Sequence, residues 1–431
     1  MQYTESNLAL AAQHDGLPFP LVLAHYTPTL TVHLPSGTLT LPLQSLPALF
    51  TTIPDPRQPR GRRFALVSLL SATLAALLCN HLSQLAAAQW LADLSPAAQA
   101  ALGFRPGVTP HQSTFNRTLR RLDPAALAAA LHDFFDPPPS SPRPRGSQGV
   151  GCDGKAQRAR FHYTPLAPGM ASVHELSAFC AELGIVLAAC AVSGTEEKAA
   201  AELNSAPTLL AQVKWAGRVL TGDALWCQRS LCAQVVAAGG DYLLTVKANQ
   251  GHLLDQVQAW FAPHAARRYG FAEPPEDRRE TATRDDGHGR CEIRYLCATE
   301  DLAAGLDWPQ VAQVFMVIRT WECKGAVKQE IHWGITSLPA GVADVARLLE
   351  LRRGHWRIEN SLHYVKDQTL GEDASQIHKE QGPAIMSLLR DMVVSLVHQA
   401  GSHQVAARLR YYSRHPMEAL TLLGLPLAEN A

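Results

Sequence analysis

The chain has 431 residues, 47% of them apolar, enough to build two or three globular domains around sizeable cores. Lysine plus arginine equal aspartate plus glutamate at 38 each, so any nucleic-acid surface must be a local feature and not a property of the whole molecule. Nine cysteines without a CxxC pair fit neither a disulfide framework nor a zinc ribbon and point to a reducing, cytoplasmic setting.

Met1 to Leu10 carries neither a basic start nor an unbroken apolar stretch, so no signal peptide is expected. Thr29–Leu34 and Thr38–Leu43 alternate in character around Pro35-Ser36-Gly37 and predict a hairpin within an N-terminal extension, residues 1–54. The longest apolar run, Phe64 to Cys79, is shorter than the ~20 residues that cross a bilayer and reads as a buried helix. From Phe64 to Phe135 the chain is rich in alanine and leucine at helical spacing, broken at Asp93–Pro96, Pro106-Gly107 and Asp123-Pro124. A helical domain over 55–136, with a bundle of about four helices, is expected. In it Ser113 is a candidate N-cap for Thr114–Arg121, whose Phe115, Leu119 and Leu122 share a face. Asn116, Arg117, Arg120 and Arg121 are left toward solvent, as phosphate contacts in a major groove or as an ordinary solvated basic face.

Residues 137–149 are rich in proline and serine and sustain neither a helix nor a central strand, which marks a linker. Beyond it strands alternate with helices: a strand at Ile185–Val192, a helix opened by Pro207, a strand at Arg218–Thr221, a helix at Leu225–Ala238 and a strand at Tyr242–Val246. This alternation predicts a mixed α/β sheet over 150–400. Strands at Cys291–Cys297, Gln313–Trp321 and Gln329–Ile335 follow without helices between them, a β-rich insertion within 263–340. Helices return at Val342–Lys366 and Pro383–Gln399, before a tail over 401–431.

Three carboxylates stand where hard cations are often held. Asp223 follows an apolar strand and precedes a helix. Asp153 opens the α/β region in Gly151-Cys-Asp-Gly-Lys155, after a segment with poor strand propensity. Glu359 lies in the helix His355–Lys366. Each is equally an N-cap, loop or surface acid when taken alone. Gly149-Val-Gly-Cys-Asp-Gly-Lys155 satisfies part of a phosphate-binding loop, but Ala156 lacks the hydroxyl that would hold Mg²⁺. His355, Glu359 and His363 recur at four-residue intervals, a spacing that permits zinc, without forming His-Glu-x2-His.

Asp153-Gly-Lys, Thr221-Gly-Asp-Ala-Leu-Trp-Cys-Gln228 and Gly240-Asp-Tyr-Leu-Leu-Thr-Val-Lys-Ala-Asn-Gln250 closely resemble successive motifs of DDE-type insertion-sequence transposases of the ISAs branch, the H-repeat-associated proteins. The resemblance continues through His288-Gly-Arg290, Arg353-Gly-His-Trp-Arg-Ile-Glu-Asn-Ser-Leu-His363 and Gly371-Glu-Asp373, and begins at Asp55-Pro-Arg-Gln-Pro-Arg-Gly-Arg-Arg63. It implies an RNase H-like catalytic core with a β-rich insertion behind an N-terminal helical domain. It also implies a DNA transposase that cleaves and transfers strands of an insertion sequence. Asp153, Asp223 and Glu359 become the catalytic acids and ligands of Mg²⁺ or Mn²⁺, as two ions. Lys247, His288, Arg290, Arg353, His355 and Lys366 become candidate phosphate contacts, Lys366 lying two α-helical turns after Glu359. In the related signature Tyr-x2-Arg-x3-Glu-x6-Lys the arginine falls on His355 and the tyrosine on Arg352, a departure from the pattern. The implied partners are double-stranded DNA, at the element ends and the target, and a second copy of the chain, with no membrane. The alternative is a catalytically inactive, transposase-derived DNA-binding protein.

Overall fold

The computed structural model describes residues 29–34, 37–42, 45–139, 141–156, 174–192, 198–261, 277–287, 290–323 and 326–425. The hairpin forms as expected, β1 (Thr29–Leu34) pairing antiparallel with β2 (Gly37–Pro42). Helices α1 (Leu46–Phe50), α2 (Leu66–Leu78), α3 (Gln84–Asp93), α4 (Pro96–Ala101), α5 (Gln112–Leu119) and α6 (Pro124–Phe135) follow. Every residue of α2 is buried, as suits a helix that is apolar on all sides. No described helix is long and apolar enough to cross a membrane.

The segment from Phe64 to Phe135 holds five helices instead of about four, because Ser95 caps α4 and makes a separate helix of the residues after the Asp93–Pro96 break. Helix α5 starts at Gln112, capped by the His111 ring and not by Ser113. Asn116 does not face solvent: its amide donates to Gln84 at 3.0 Å.

One nine-stranded sheet organises the remainder, in the order β5-β4-β3-β6-β7-β11-β10-β9-β8. Its strands are β3 (Gln148–Ala156), β4 (His174–Cys180), β5 (Ile185–Ala191), β6 (Arg218–Gly222), β7 (Asp241–Val246), β8 (Arg279–Gly287), β9 (Arg290–Thr299), β10 (Gln313–Cys323) and β11 (Ala326–Thr336). β3, β6 and β7 run parallel and the other pairings are antiparallel. This is the expected mixed α/β architecture. Strands β4 and β8 add to the expected set; β8 reads Arg-Glu-Thr-Ala-Thr-Arg-Asp-Asp-Gly and lies at the sheet edge, where few apolar side chains are needed.

Helix α7 (Lys198–Ala211) contains Pro207 in its interior, so the proline does not open it; contacts with β4 and β5 hold both halves across the missing backbone donor. Helices α8 (Arg229–Ala237), α9 (Gly251–Phe261) and α10 (Val345–His355) complete the α/β part, with α11 (Gly382–Gln399), α12 (Val405–Arg414) and α13 (Pro416–Leu422) behind them. Leu348, Leu349 and Leu351 of α10 pack on Val219, Leu243 and Phe315 of the sheet. A larger core runs without a break from Leu46 to Leu425 and joins α2, α6, α11, α12 and α13 to β5.

The proline-rich segment is tied to this core by ions. Asp136 accepts two 2.7 Å hydrogen bonds from Arg218, which is fully buried, and a third from Arg143 at 2.6 Å. Burial alone would raise the Asp136 carboxyl, but Arg218 holds it below the ordinary carboxylate range. A depressed folded value means that the pair stabilises the protein above the unfolded carboxylate value and that this contribution is lost as pH falls through the folded one. Asp136→Ala strands the Arg218 guanidinium, so a loss of about 3–5 kcal/mol is expected in denaturant unfolding at neutral pH. The deficit should shrink on acidification below about pH 4; an unchanged unfolding midpoint would contradict the assignment.

Candidate active site

The site is built where a helix crosses a glycine-rich strand. Gly149 and Gly151 of β3 look toward α10 and the segment after it. A Cβ at 149 would lie 3.1 Å from Leu351, and one at 151 would lie 3.5 Å from the His355 carbonyl and from Ile358. Glycine therefore weakens β3 as a strand while permitting the approach, which is why a segment of poor propensity nonetheless pairs on both edges. Asp153 is the next residue on the same face.

Asp223 stands beside it. β3 and β6 pair in parallel through Gly151↔Thr221, and each aspartate lies two residues beyond that pair. Adjacent strands are about 4.8 Å apart, so the two acids emerge level with one another. Asp223 is exposed and its Oδ1 accepts the Leu225 N–H at 2.9 Å, capping the turn Ala224–Trp226. Gly222 makes this turn possible, since a Cβ there would lie 2.6 Å from that of Trp226.

Glu359 arrives on a segment that is not α-helical. After His355 the backbone widens to i→i+5 hydrogen bonding over Ile358–His363 and Val365–Thr369, as in Tyr364 N–H to the Glu359 carbonyl and Leu370 N–H to the Val365 carbonyl. Such widened turns are rare and concentrate at functional sites. Here they set Glu359 over β3 with His363 beneath it. His363 is buried to 3% exposure, and its Nδ1 lies 3.2 Å from Glu359 Oε2 and 3.5 Å from Asp153 Oδ2. One donor atom each from Asp153, Glu359 and His363 falls within 4.8 Å of the others.

A cleft of about 250 Å³ opens above them. Asp153, Asp223 and Glu359 line it, as do Lys247, His332, Arg352, His355 and Trp356. Burial pushes the Asp153 carboxyl up, and the Asp223 and Glu202 carboxylates add to that, against the opposing pull of His363 and the Gly154 N–H. Burial and the Arg352 charge lower His355 to about 4, so it faces the cleft as a neutral ring. Arg352, lowered to about 10 by burial and by Arg319 and Arg294, remains a cation at neutral pH.

The structure brings the three acids to one cleft with Lys247 and His355, and sets the other candidates elsewhere. Arg353 pairs with Asp285 at 2.9 Å, outside the cleft walls. Arg117 is exposed on α5 and Arg121 is exposed in the turn after it, and Arg120 pairs with Glu380 at 3.5 Å. His288 lies outside the described residues, and Arg290 begins β9. The zinc alternative does not form: Asp153, not His355, joins Glu359 and His363. The phosphate-loop alternative does not form either, because Gly149–Lys155 is strand and the Lys155 ammonium pairs with Glu372 at 2.5 Å. Arg352 and His332 are cleft residues that spacing alone did not single out.

Lys366 requires a correction. Seven residues after Glu359 would share its face in an α-helix, but the wider turns carry Lys366 into the interior, 1% exposed, while Glu359 stays 56% exposed. Its ammonium pairs with Asp391 at 2.7 Å and Glu175 at 3.3 Å, so it cannot reach a phosphate. Burial would lower it, yet Asp391, Glu175 and Glu372 raise it and keep it charged. Lys366→Met should therefore act on stability, costing about 3–5 kcal/mol through the stranded carboxylates, as read by denaturant unfolding. A variant as stable as the parent would show that the ammonium is not held in this cluster.

Residues 182–395 match the family model described as Transposase DDE domain, and residues 48–135 match the one described as DDE_Tnp_1-associated. The first match includes Asp223 and Glu359 and begins after Asp153. A Xanthobacter autotrophicus chain, "Uncharacterized protein in dhlA 3'region", is 29% identical over 67% of this chain and 92% of its own length. "Putative transposase YncI" of Escherichia coli O157:H7 is 30% identical over 58% of this chain and 61% of its own length. "H repeat-associated putative transposase YhhI" of Escherichia coli K12 is 25% identical over 58% and 63%. The chain thus spans about three fifths of the length of these two relatives. A piggyBac transposase in a synaptic complex with hairpin DNA aligns over 88% of this chain and 77% of its own, at 12% identity and TM-score 0.38. With both family models matched in order and H repeat-associated relatives alongside, the chain belongs to the DDE-domain transposase family.

Proposed function

We propose that the protein is a DNA transposase that cleaves and rejoins strands of an insertion sequence, with Asp153, Asp223 and Glu359 as its catalytic acids. The observation that carries this reading is that three carboxylates far apart in sequence line one cleft in a chain of this family. The donor set suits a divalent cation. Asp153 and Glu359 converge, and Asp153 is half-buried in an acid-rich setting that a cation would balance. Mg²⁺ or Mn²⁺, as two ions, would supply activation of the attacking hydroxyl and stabilisation of the leaving oxygen.

The rest falls to the protein's own side chains. Lys247 and Arg352, on the walls of the same cleft, would bind non-bridging phosphate oxygens and hold the phosphodiester against the acids. His355, kept neutral, would offer a hydrogen bond instead of a charge. The RNase H-like reading of the core is supported by the adjacent parallel strands that present Asp153 and Asp223. It is also supported by β8–β11, which intervene before Glu359 as the expected insertion does. Double-stranded DNA as substrate, a homodimer on paired ends, and action in the cytoplasm belong to the same reading. So does the division into a helical domain at 55–136 and a catalytic domain at 150–400.

Cleavage of a supercoiled plasmid carrying the element's ends should require Mg²⁺ or Mn²⁺, stop with EDTA, and fall by at least roughly 10³-fold in Asp223→Ala. That variant loses one capping hydrogen bond, so its stability should drop by only about 0.5–2 kcal/mol. Undiminished cleavage by Asp223→Ala would overturn the reading, and specific DNA binding without cleavage by the parent would favour the inactive descendant. Lys247→Ala should weaken binding to all sequences alike and reduce the salt dependence by about one counterion.

A further inference from the structure

We propose that His363 is itself a cation ligand, through Nδ1, so that one position of the site is a mixed oxygen–nitrogen site and not an all-carboxylate one. This rests on the reading of Asp153 and Glu359 as cation ligands and adds a donor to it. The imidazole is buried to 3% exposure on the widened helical segment. Its Nε2 is turned to the interior, without a hydrogen-bond partner among the described residues. Only Nδ1 is offered to the cleft side, and it is offered to two carboxylates at once.

The distances fit coordination. Neighbouring ligands of an octahedral cation with bonds of about 2.1 Å lie about 3 Å apart. Nδ1 is 3.2 Å from Glu359 Oε2 and 3.5 Å from Asp153 Oδ2. The Glu359 contact is also a hydrogen bond, and both contacts are spaced as the edges of a coordination shell.

The donor chemistry then decides which ion is favoured. Mg²⁺ is bound through oxygen and sheds water reluctantly, whereas imidazole suits transition ions. A site of two carboxylates and one imidazole should hold Mn²⁺ more tightly than Mg²⁺, by about tenfold or more. Asp223, outside this triple but on the same cleft, leaves the second position to oxygen ligands.

Mn²⁺ is the probe. Electron paramagnetic resonance titration of the full chain should show bound Mn²⁺ that requires about tenfold more Mg²⁺ than Mn²⁺ to displace. Pulsed measurements on the bound ion should show modulation from one directly coordinated ¹⁴N, altered when the protein is labelled with ¹⁵N-histidine. The modulation should vanish in His363→Gln and persist in His355→Gln, and Mn²⁺ affinity should fall by about 10- to 100-fold in the former. The labelled parent answers the question even if His363→Gln does not fold. Bound Mn²⁺ without nitrogen coupling would overturn the proposal and leave the three-acid reading intact, and coupling that follows His355 would also overturn it. Failure of the parent to bind Mn²⁺ at all would remove both.

Discussion

The geometry of the cleft depends on how closely one helical segment can lie against one strand. Gly149 leaves room that a Cβ would crowd at 3.1 Å from Leu351, and at Gly151 even a Cβ would already touch His355 and Ile358 at 3.5 Å, so no larger side chain fits without moving the segment. Each glycine costs a strand roughly 0.5–1 kcal/mol relative to alanine. Burial of Leu351 and Ile358, at roughly 1.5–3 kcal/mol apiece, offsets it. Past Asp153 the contact changes from apolar to ionic, as Lys155 reaches Asp367 at 2.6 Å and Glu372 at 2.5 Å. The acid-bearing strand and the acid-bearing helix are thus pinned on both sides of the point where their carboxylates meet.

The ionic side is a buried cluster that works only as a whole. Lys155, Lys366 and Arg390 alternate with Glu175, Asp367, Glu372 and Asp391, and Ser387 donates to Glu372 at 2.8 Å. Burial would raise Glu372, but Lys366, Arg390 and Lys155 bring it down to about 2. Charges so deeply buried contribute little net stability when all are paired and cost several kcal/mol when one is removed. Their value is geometric: a widened helix has poorer intrinsic stability than an α-helix, and interdigitated ions fix its register. The cleft above is complementary in sign. Arg352 remains charged there with its Nε unpaired among the described residues, close to acids it does not neutralise. A cation facing carboxylates across a cleft is suited to an anion that binds between them.

Asp223 was legible because the apolar strand Arg218–Thr221 ends on it and a helical turn follows; burial, polarity and capping all agree locally. Asp153 was not legible from propensity, since the glycines that spoil β3 as a strand serve a partner some 200 residues away. β4, which pairs with β3 and β5, is hidden by its mixed composition, His-Glu-Leu-Ser-Ala-Phe-Cys. Lys366 misled because counting by sevens presupposes 3.6 residues per turn, and nothing local announces a switch to i→i+5 bonding. His363 stood in plain view four residues after Glu359, but its partner Asp153 comes from another element, so spacing alone assigned it to the wrong set. Periodicity reports the neighbours a residue would have on a regular helix, and the site is where the helix is not regular.

The helical part of the chain bears on this site by more than one route. Helix α11 contributes Arg390 and Asp391 to the ion cluster beneath Glu359, and Leu388 and Met392 of the same helix meet Leu131 and Phe135 of α6. Asp391 thus stands where helix α6, the sheet strand β5 and the acid-bearing segment converge. At the same C-terminal end of α6, Asp136 is fastened to Arg218 of β6, the strand that delivers Asp223. A shift of α6 would therefore be felt at two of the three acids by separate routes, through α11 to Glu359 and through Arg218 to Asp223. Because packed cores and buried ion pairs resist gradual deformation, such a shift would move the acids together or not at all. The N-terminal helices act in this arrangement as part of the scaffold that keeps the carboxylates in register.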